Sequence, residues 1–144
     1  MTPFILMIAL SMHSIFEGIA LGLESKLGSV INILIAITLH KWAASMSLGI
    51  SLNKTFPDEF RKILYLIITF ACATPLGIIF GIALGSAPAM VDITFSCLAG
   101  GTFIYIACSE VIVEEFSLPG HKWFKLLVFI LGAGLITSLW FLDS

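Results

Sequence analysis

Charge is what this sequence has least of. Of 144 residues only 11% are Asp, Glu, Lys or Arg, where a soluble domain carries about a quarter. Seven cations against nine anions leave a formal charge of -2. No basic stripe exists for phosphates to meet, which excludes a nucleic-acid binder. The three cysteines, Cys72, Cys97 and Cys108, fall inside apolar runs without paired spacing, so neither a disulfide framework nor a zinc knuckle has support. No H-E-x-x-H, phosphate-cradling or nucleophile motif occurs. The chain therefore reads as a non-enzyme with no organic cofactor, and the intramembrane metalloprotease alternative lacks its motif. Linkers, low-complexity segments and strict repeats with a period of 20 to 50 residues are likewise missing.

What is present is apolar. Hydrophobic residues make up 59% of the chain and its mean hydropathy is +1.11. A chain of this size cannot hide that much apolar surface from water, so lipid is the expected solvent for most of its exterior. Five apolar runs, Thr2 to Leu23, Ser29 to Leu52, Ile63 to Gly85, Pro88 to Val113 and Trp123 to Phe141, each approach the about 20 residues a helix needs to cross a bilayer. A β-barrel would show segments of about ten residues with strict alternation instead. The expected fold is thus an all-α membrane protein, a single domain of five transmembrane helices over residues 1–144. The first run lacks the basic flank of a signal peptide and continues as a full span.

Orientation follows from the cations. Lys54, Arg61, Lys62, Lys122 and Lys125 lie in or beside the second and fourth loops, Lys26 lies in the first, and Lys41 lies within a span. Short basic loops stay in the cytoplasm, so the N-terminus is expected there and the tail Asp143-Ser144 on the other side. Trp123 and Trp140 suit the two interfaces of the last span.

An ionisable residue in a bilayer costs about 2.5 to 3.5 kcal/mol on insertion scales and is usually functional. Here several gather at one depth. His13 and Glu17 stand one turn apart on one face of the first span, and His40 and Lys41 stand midway along the second. The short loop between the two spans makes them antiparallel neighbours, which brings His40 to the depth of His13. Two imidazoles and a carboxylate suit zinc or another first-row dication. With a fourth position left to water, such a site releases its ion, as transport requires and a closed four-ligand structural site does not allow. Lys41 follows His40, about 100° around the helix, as Ser14 follows His13; a fixed ammonium there repels a second cation and predicts a mononuclear site. The plainer alternatives are that each histidine is a packing residue and that Glu17 pairs structurally with Lys41.

Other polar residues read more plainly. Glu110, Glu114 and Glu115 suit a solvated helix end, with a cation-drawing pathway mouth as the functional alternative. Ser14, Gly18 and Gly22 form one ladder of small residues and Ala73, Gly77, Gly81 and Gly85 another, both expected to serve close helix packing. Pro75, after Thr74, is expected to break the third span near its middle.

His13-Ser14-Ile15-Phe16-Glu17-Gly18-Ile19-Ala20-Leu21-Gly22, then His40-Lys41, Thr74-Pro75-Leu76-Gly77 and Gly101-Thr102-Phe103-Ile104-Tyr105, strongly resemble the ZIP (Zrt/Irt-like, solute carrier 39) metal transporters. The His-Lys motif resembles the branch of animal plasma-membrane zinc importers. The resemblance covers essentially the whole chain. It implies zinc import towards the cytoplasm through an eight-helix fold, with His13, Glu17 and His40 as primary ligands. Ser14 and Lys41 would stand where a binuclear branch carries further ligands, and Thr74 where that branch carries a carboxylate before proline. Val113 departs from a frequent proline. The five spans would correspond to family helices four to eight, leaving the first three helices and the long cytoplasmic loop unrepresented. Two functions follow as expectations. One is a Zn2+ carrier, open to other divalent cations and able to pair with itself. The other is a truncated, non-transporting isoform or fragment that associates with full-length relatives.

Overall fold

A computed structural model describes residues 3–85 and 88–140. Within those residues the chain is helical apart from short turns. The elements are α1 (Pro3–Leu23), α2 (Leu27–Thr55), α3 (Phe60–Ala83), α4 (Ala89–Tyr105), a π-helical segment (Ile106–Ile112), α5 (Val113–Ser117) and α6 (Lys122–Trp140). Among the described residues, four stretches are long and apolar enough to cross a membrane: Pro3–Leu23, Leu27–Thr55, Phe60–Ala83 and Ala89–Ser109. The fifth expected run coincides with the 19 residues of α6, and its end at Phe141 lies outside the described residues, as do Thr2, Ser86, Ala87 and the tail Asp143-Ser144.

Helix α1 is the hub. It packs on α2, α3 and α4, most extensively on α3. Small residues explain that preference. A Cβ built on Gly18 would sit 2.5 Å from the Thr74 carbonyl oxygen, and one built on Gly22 would sit 2.5 Å from that of Ile78. Gly18 lies against Gly77 and Gly22 against Gly81. The matched four-residue steps show that α1 and α3 run parallel, with backbones in contact where only hydrogen side chains fit. Ser14 and Ala73 continue the two ladders towards the site and are buried. Gly85 lies past the contact, where a Cβ would meet only the Ile82 carbonyl of its own chain segment.

Two expectations are corrected. Helix α3 continues through Pro75 without a break; the proline costs one amide donor, and packing against α1 on either side, through the Thr74 carbonyl and Gly77, holds the helix together. Helix α2 extends beyond the expected run at both ends, so that Asn53, Lys54 and Thr55 are helical. The turn that follows is closed by the Phe56 amide donating to the Leu52 carbonyl at 2.8 Å. There Lys62 stacks over the Phe56 ring at 3.9 Å, and Phe4 meets the same ring edge-on.

The apolar core gathers at the end of the bundle that holds the start of α1: Leu6 and Leu10, Leu48 and Leu52 of α2, Ile63 and Phe70 of α3, and Ile106. The buried polar residues among those described, His13, Ser14 and Thr74, lie one or two turns further along. Most other large apolar side chains are exposed, Trp42, Tyr65 and Trp123 among them, as expected where lipid is the solvent.

Candidate metal site

Halfway along α1, His13 and Glu17 point from one face, and His40 of α2 meets them. Each offers one ligand atom, and these atoms lie within 4.8 Å of one another. His40 Nε2 is 2.7 Å from Glu17 Oε1, and His13 Nε2 is 3.9 Å from the same oxygen. Tetrahedral zinc with bonds of about 2.0 to 2.1 Å sets neighbouring donors about 3.4 Å apart. The two separations from Glu17 bracket that value, and side-chain rotation closes the three groups on one ion. Glu17 and His40 are largely enclosed, and His13 is 5% exposed.

The ligands are also oriented from behind. His13 Nδ1 lies 3.1 Å from the Ala99 carbonyl oxygen and 3.3 Å from Thr102 Oγ1, both on α4. Its other nitrogen, Nε2, is buried and has no hydrogen-bond partner. A buried polar atom left without a partner carries an unrecovered desolvation cost. An imidazole whose far nitrogen is held by a carbonyl while the near one is free is the usual arrangement of a metal-ligating histidine.

Lys41, the neighbour of His40, donates to the Thr74 hydroxyl and lies over the Phe70 ring at 4.8 Å. Glu17 has His40 as its close partner, and Lys41 is held by α3, so the alternative in which Glu17 pairs structurally with Lys41 is not the arrangement seen. Ser14 is buried beside the cluster, Lys41 and Thr74 are brought together, and a cation is thereby fixed next to the three ligands. The side chains of Glu110 and Glu114 lie outside the described residues. Glu115 is engaged by Lys125, whose Nζ lies 3.0 Å from its carboxylate and 2.7 Å from its carbonyl oxygen.

Sequence reasoning gave no role to α4. Phe103 places its ring 5.4 Å from that of His13 and 5.3 Å from that of His40, packing against both imidazoles. From the cluster a cavity of about 440 Å³ extends towards the N-terminal end of α1, lined by Leu6, Leu10, Ala44, Phe70, Phe103 and Ile106 among others. Its far wall includes the π-helical segment, a geometry that recurs at functional sites.

Residues 1–139 match the family model described as ZIP Zinc transporter. Among curated proteins, the chain is 39% identical to Protein zntD of Dictyostelium discoideum over 96% of its own length and 21% of that protein. It is 35% identical to Zinc transporter ZIP1 of Takifugu rubripes, covering 96% of this chain and 47% of the relative. Zinc transporter ZIP3 of Bos taurus is 31% identical over 94% of this chain and 45% of the relative. The chain spans less than half the length of each. No solved structure gave a significant match.

Proposed function

The chain belongs to the ZIP zinc transporter family, and from that premise we propose that it carries Zn2+ across a bilayer towards the cytoplasm by way of His13, Glu17 and His40. The observation that carries this reading is the buried, unpartnered Nε2 of His13, 3.9 Å from a carboxylate that already engages His40. An arriving ion displaces the hydrogen between His40 Nε2 and Glu17; the neutral imidazole gives up that proton and takes one from water at Nδ1, with no net release, and the ion gains the His13 lone pair in addition. The carboxylate offsets one of its two charges, and water completes the shell. Three protein ligands hold the ion without closing the site.

The same reading assigns Lys41 the position of a second metal. Anchored on Thr74, its ammonium supplies a positive charge beside the ligands, which keeps the site mononuclear and favours departure of the ion. Ser14 and Thr74 line the polar strip between α1 and α3 along which it sits. Other divalent cations that accept nitrogen and oxygen ligands compete for the same groups.

Direction follows from charge and cavity together. The basic loops put the start of α1 and the end of α2 on the cytoplasmic side, and the cavity leads from the cluster to that end. The fold reading that accompanies this is five spans, α6 being the last, equivalent to family helices four to eight, in the plasma membrane. A second reading, that the chain binds zinc and acts beside a longer relative or another copy, draws support from the open flank of α2, where Leu39, Trp42, Met46 and Ile50 are exposed.

Zinc uptake by cells or proteoliposomes containing this chain alone tests both. The first reading expects uptake that is lost in His13→Ala and Glu17→Ala. Unchanged uptake in both variants sinks it, and uptake that appears only with a co-expressed longer relative selects the second.

A further inference from the structure

Helix α4 does more than wall the cluster. Thr102 Oγ1 lies 2.7 Å from the Leu98 carbonyl oxygen and 3.0 Å from that of Ala99. Both are pure acceptors, so the hydroxyl proton is spent on the helix's own backbone, as serine and threonine commonly do within helices. The oxygen then turns a lone pair towards His13 Nδ1, 3.3 Å away, next to the Ala99 carbonyl at 3.1 Å. A ring nitrogen facing two acceptors must carry the hydrogen. A neutral imidazole has only one, so Nε2 is left as a lone pair, and that is the atom found buried without a partner.

We propose that Thr102 is a positioning residue of the metal site: with the Ala99 carbonyl it holds His13 as the Nδ1–H tautomer and aims the Nε2 lone pair at the space shared with Glu17 and His40. The opposite tautomer would set an Nδ1 lone pair against two oxygens and point an N–H where a cation has to sit. The device lies 86 to 89 residues from the histidine it orients, so it ties α4 to the state of the site on α1. The Phe103 ring, packed against both imidazoles, limits their rotation once the tautomer is set.

This inference rests on His13 being a zinc ligand, and the test separates the two claims. Histidine 15N spectra of the metal-free protein are expected to show His13 protonated on Nδ1, with His40 and His121 assigned by substitution; protonation on Nε2 overturns the proposal whatever Thr102 variants do. Zinc titration of the purified chain is expected to give Thr102→Val an affinity about 10-fold weaker, the lower end of the usual loss for a ligand's supporting partner because the Ala99 carbonyl remains. Thr102→Ser, which keeps the hydroxyl, is expected within about threefold of the parent. Parental affinity in Thr102→Val, with binding abolished in His13→Ala, overturns the positioning role alone. Parental affinity in His13→Ala overturns the site itself.

Discussion

Gly18→Ala perturbs one of the close backbone contacts between α1 and α3, and its effect can be worked from geometry. The added methyl would lie 2.5 Å from the Thr74 carbonyl oxygen and 3.0 Å from Gly77 Cα, where ordinary contact begins at 3.4 Å. The obstacle is backbone on both counts, so no side chain can swing aside and α1 must retreat from α3 by about 0.9 Å locally. Overpacking of this kind costs about 1 to 3 kcal/mol. A backbone obstacle puts the cost in the upper half of that range, and helix propensity returns at most about 1 kcal/mol, which leaves a net loss of about 1 to 2 kcal/mol. The displacement also enters the site, because Gly18 follows Glu17 directly and Thr74 anchors Lys41. Ligands need placement within about 0.5 Å, so zinc affinity falls together with stability. Gly100→Ala supplies the control: a Cβ there meets nothing within 4 Å, and only the propensity gain remains. Thermal unfolding in detergent and zinc titration of both variants check this. A Gly18→Ala protein as stable as Gly100→Ala, binding zinc equally well, would refute the packing argument.

Further expectations concern single side chains around the cluster. Lys41→Glu replaces the fixed cation by a carboxylate beside Glu17 and Thr74, and raises the stoichiometry from one zinc to two in a calorimetric titration; a stoichiometry still at one contradicts the role given to Lys41. Phe103→His adds an imidazole beside the two already present, so zinc is retained longer and uptake slows, measured as a lower release rate with tighter equilibrium binding. Lys125→Ala removes an exposed pair with Glu115 and two carbonyl contacts; a loss below about 1 kcal/mol is expected, with zinc binding untouched, and a large loss would mean that the turn into α6 organises the bundle.

How far the sequence could be read depends on the range of each interaction. His13 and Glu17 were legible because one helical turn is a local rule, and His40 because a three-residue loop, Glu24 to Lys26, leaves little freedom in depth. The glycine ladders announced a close contact, but not that α1 would prefer α3, two elements on, to its hairpin neighbour α2; that choice depends on matching two ladders 59 positions apart. Pro75 misled because a helix-breaking rule for water ignores the neighbours that support a helix in lipid. Thr102 and Phe103 sat within a family motif yet carried no visible role, since a hydroxyl or a phenyl in an apolar run looks like filler until the fold brings it to a histidine. The π-helical stretch over Ile106–Ile112 likewise has no local signature in its sequence.

The central claim is that the imidazoles of His13 and His40 and the carboxylate of Glu17 are the groups that take the metal. X-ray absorption at the zinc edge, on the purified chain loaded with one equivalent of Zn2+, tests it most directly. The account predicts a first shell of nitrogen and oxygen only, at about 2.0 to 2.2 Å, with outer scattering from two imidazoles. A zinc–sulfur shell at about 2.3 Å, from any of Cys72, Cys97 and Cys108, or scattering from fewer than two imidazoles, would contradict it.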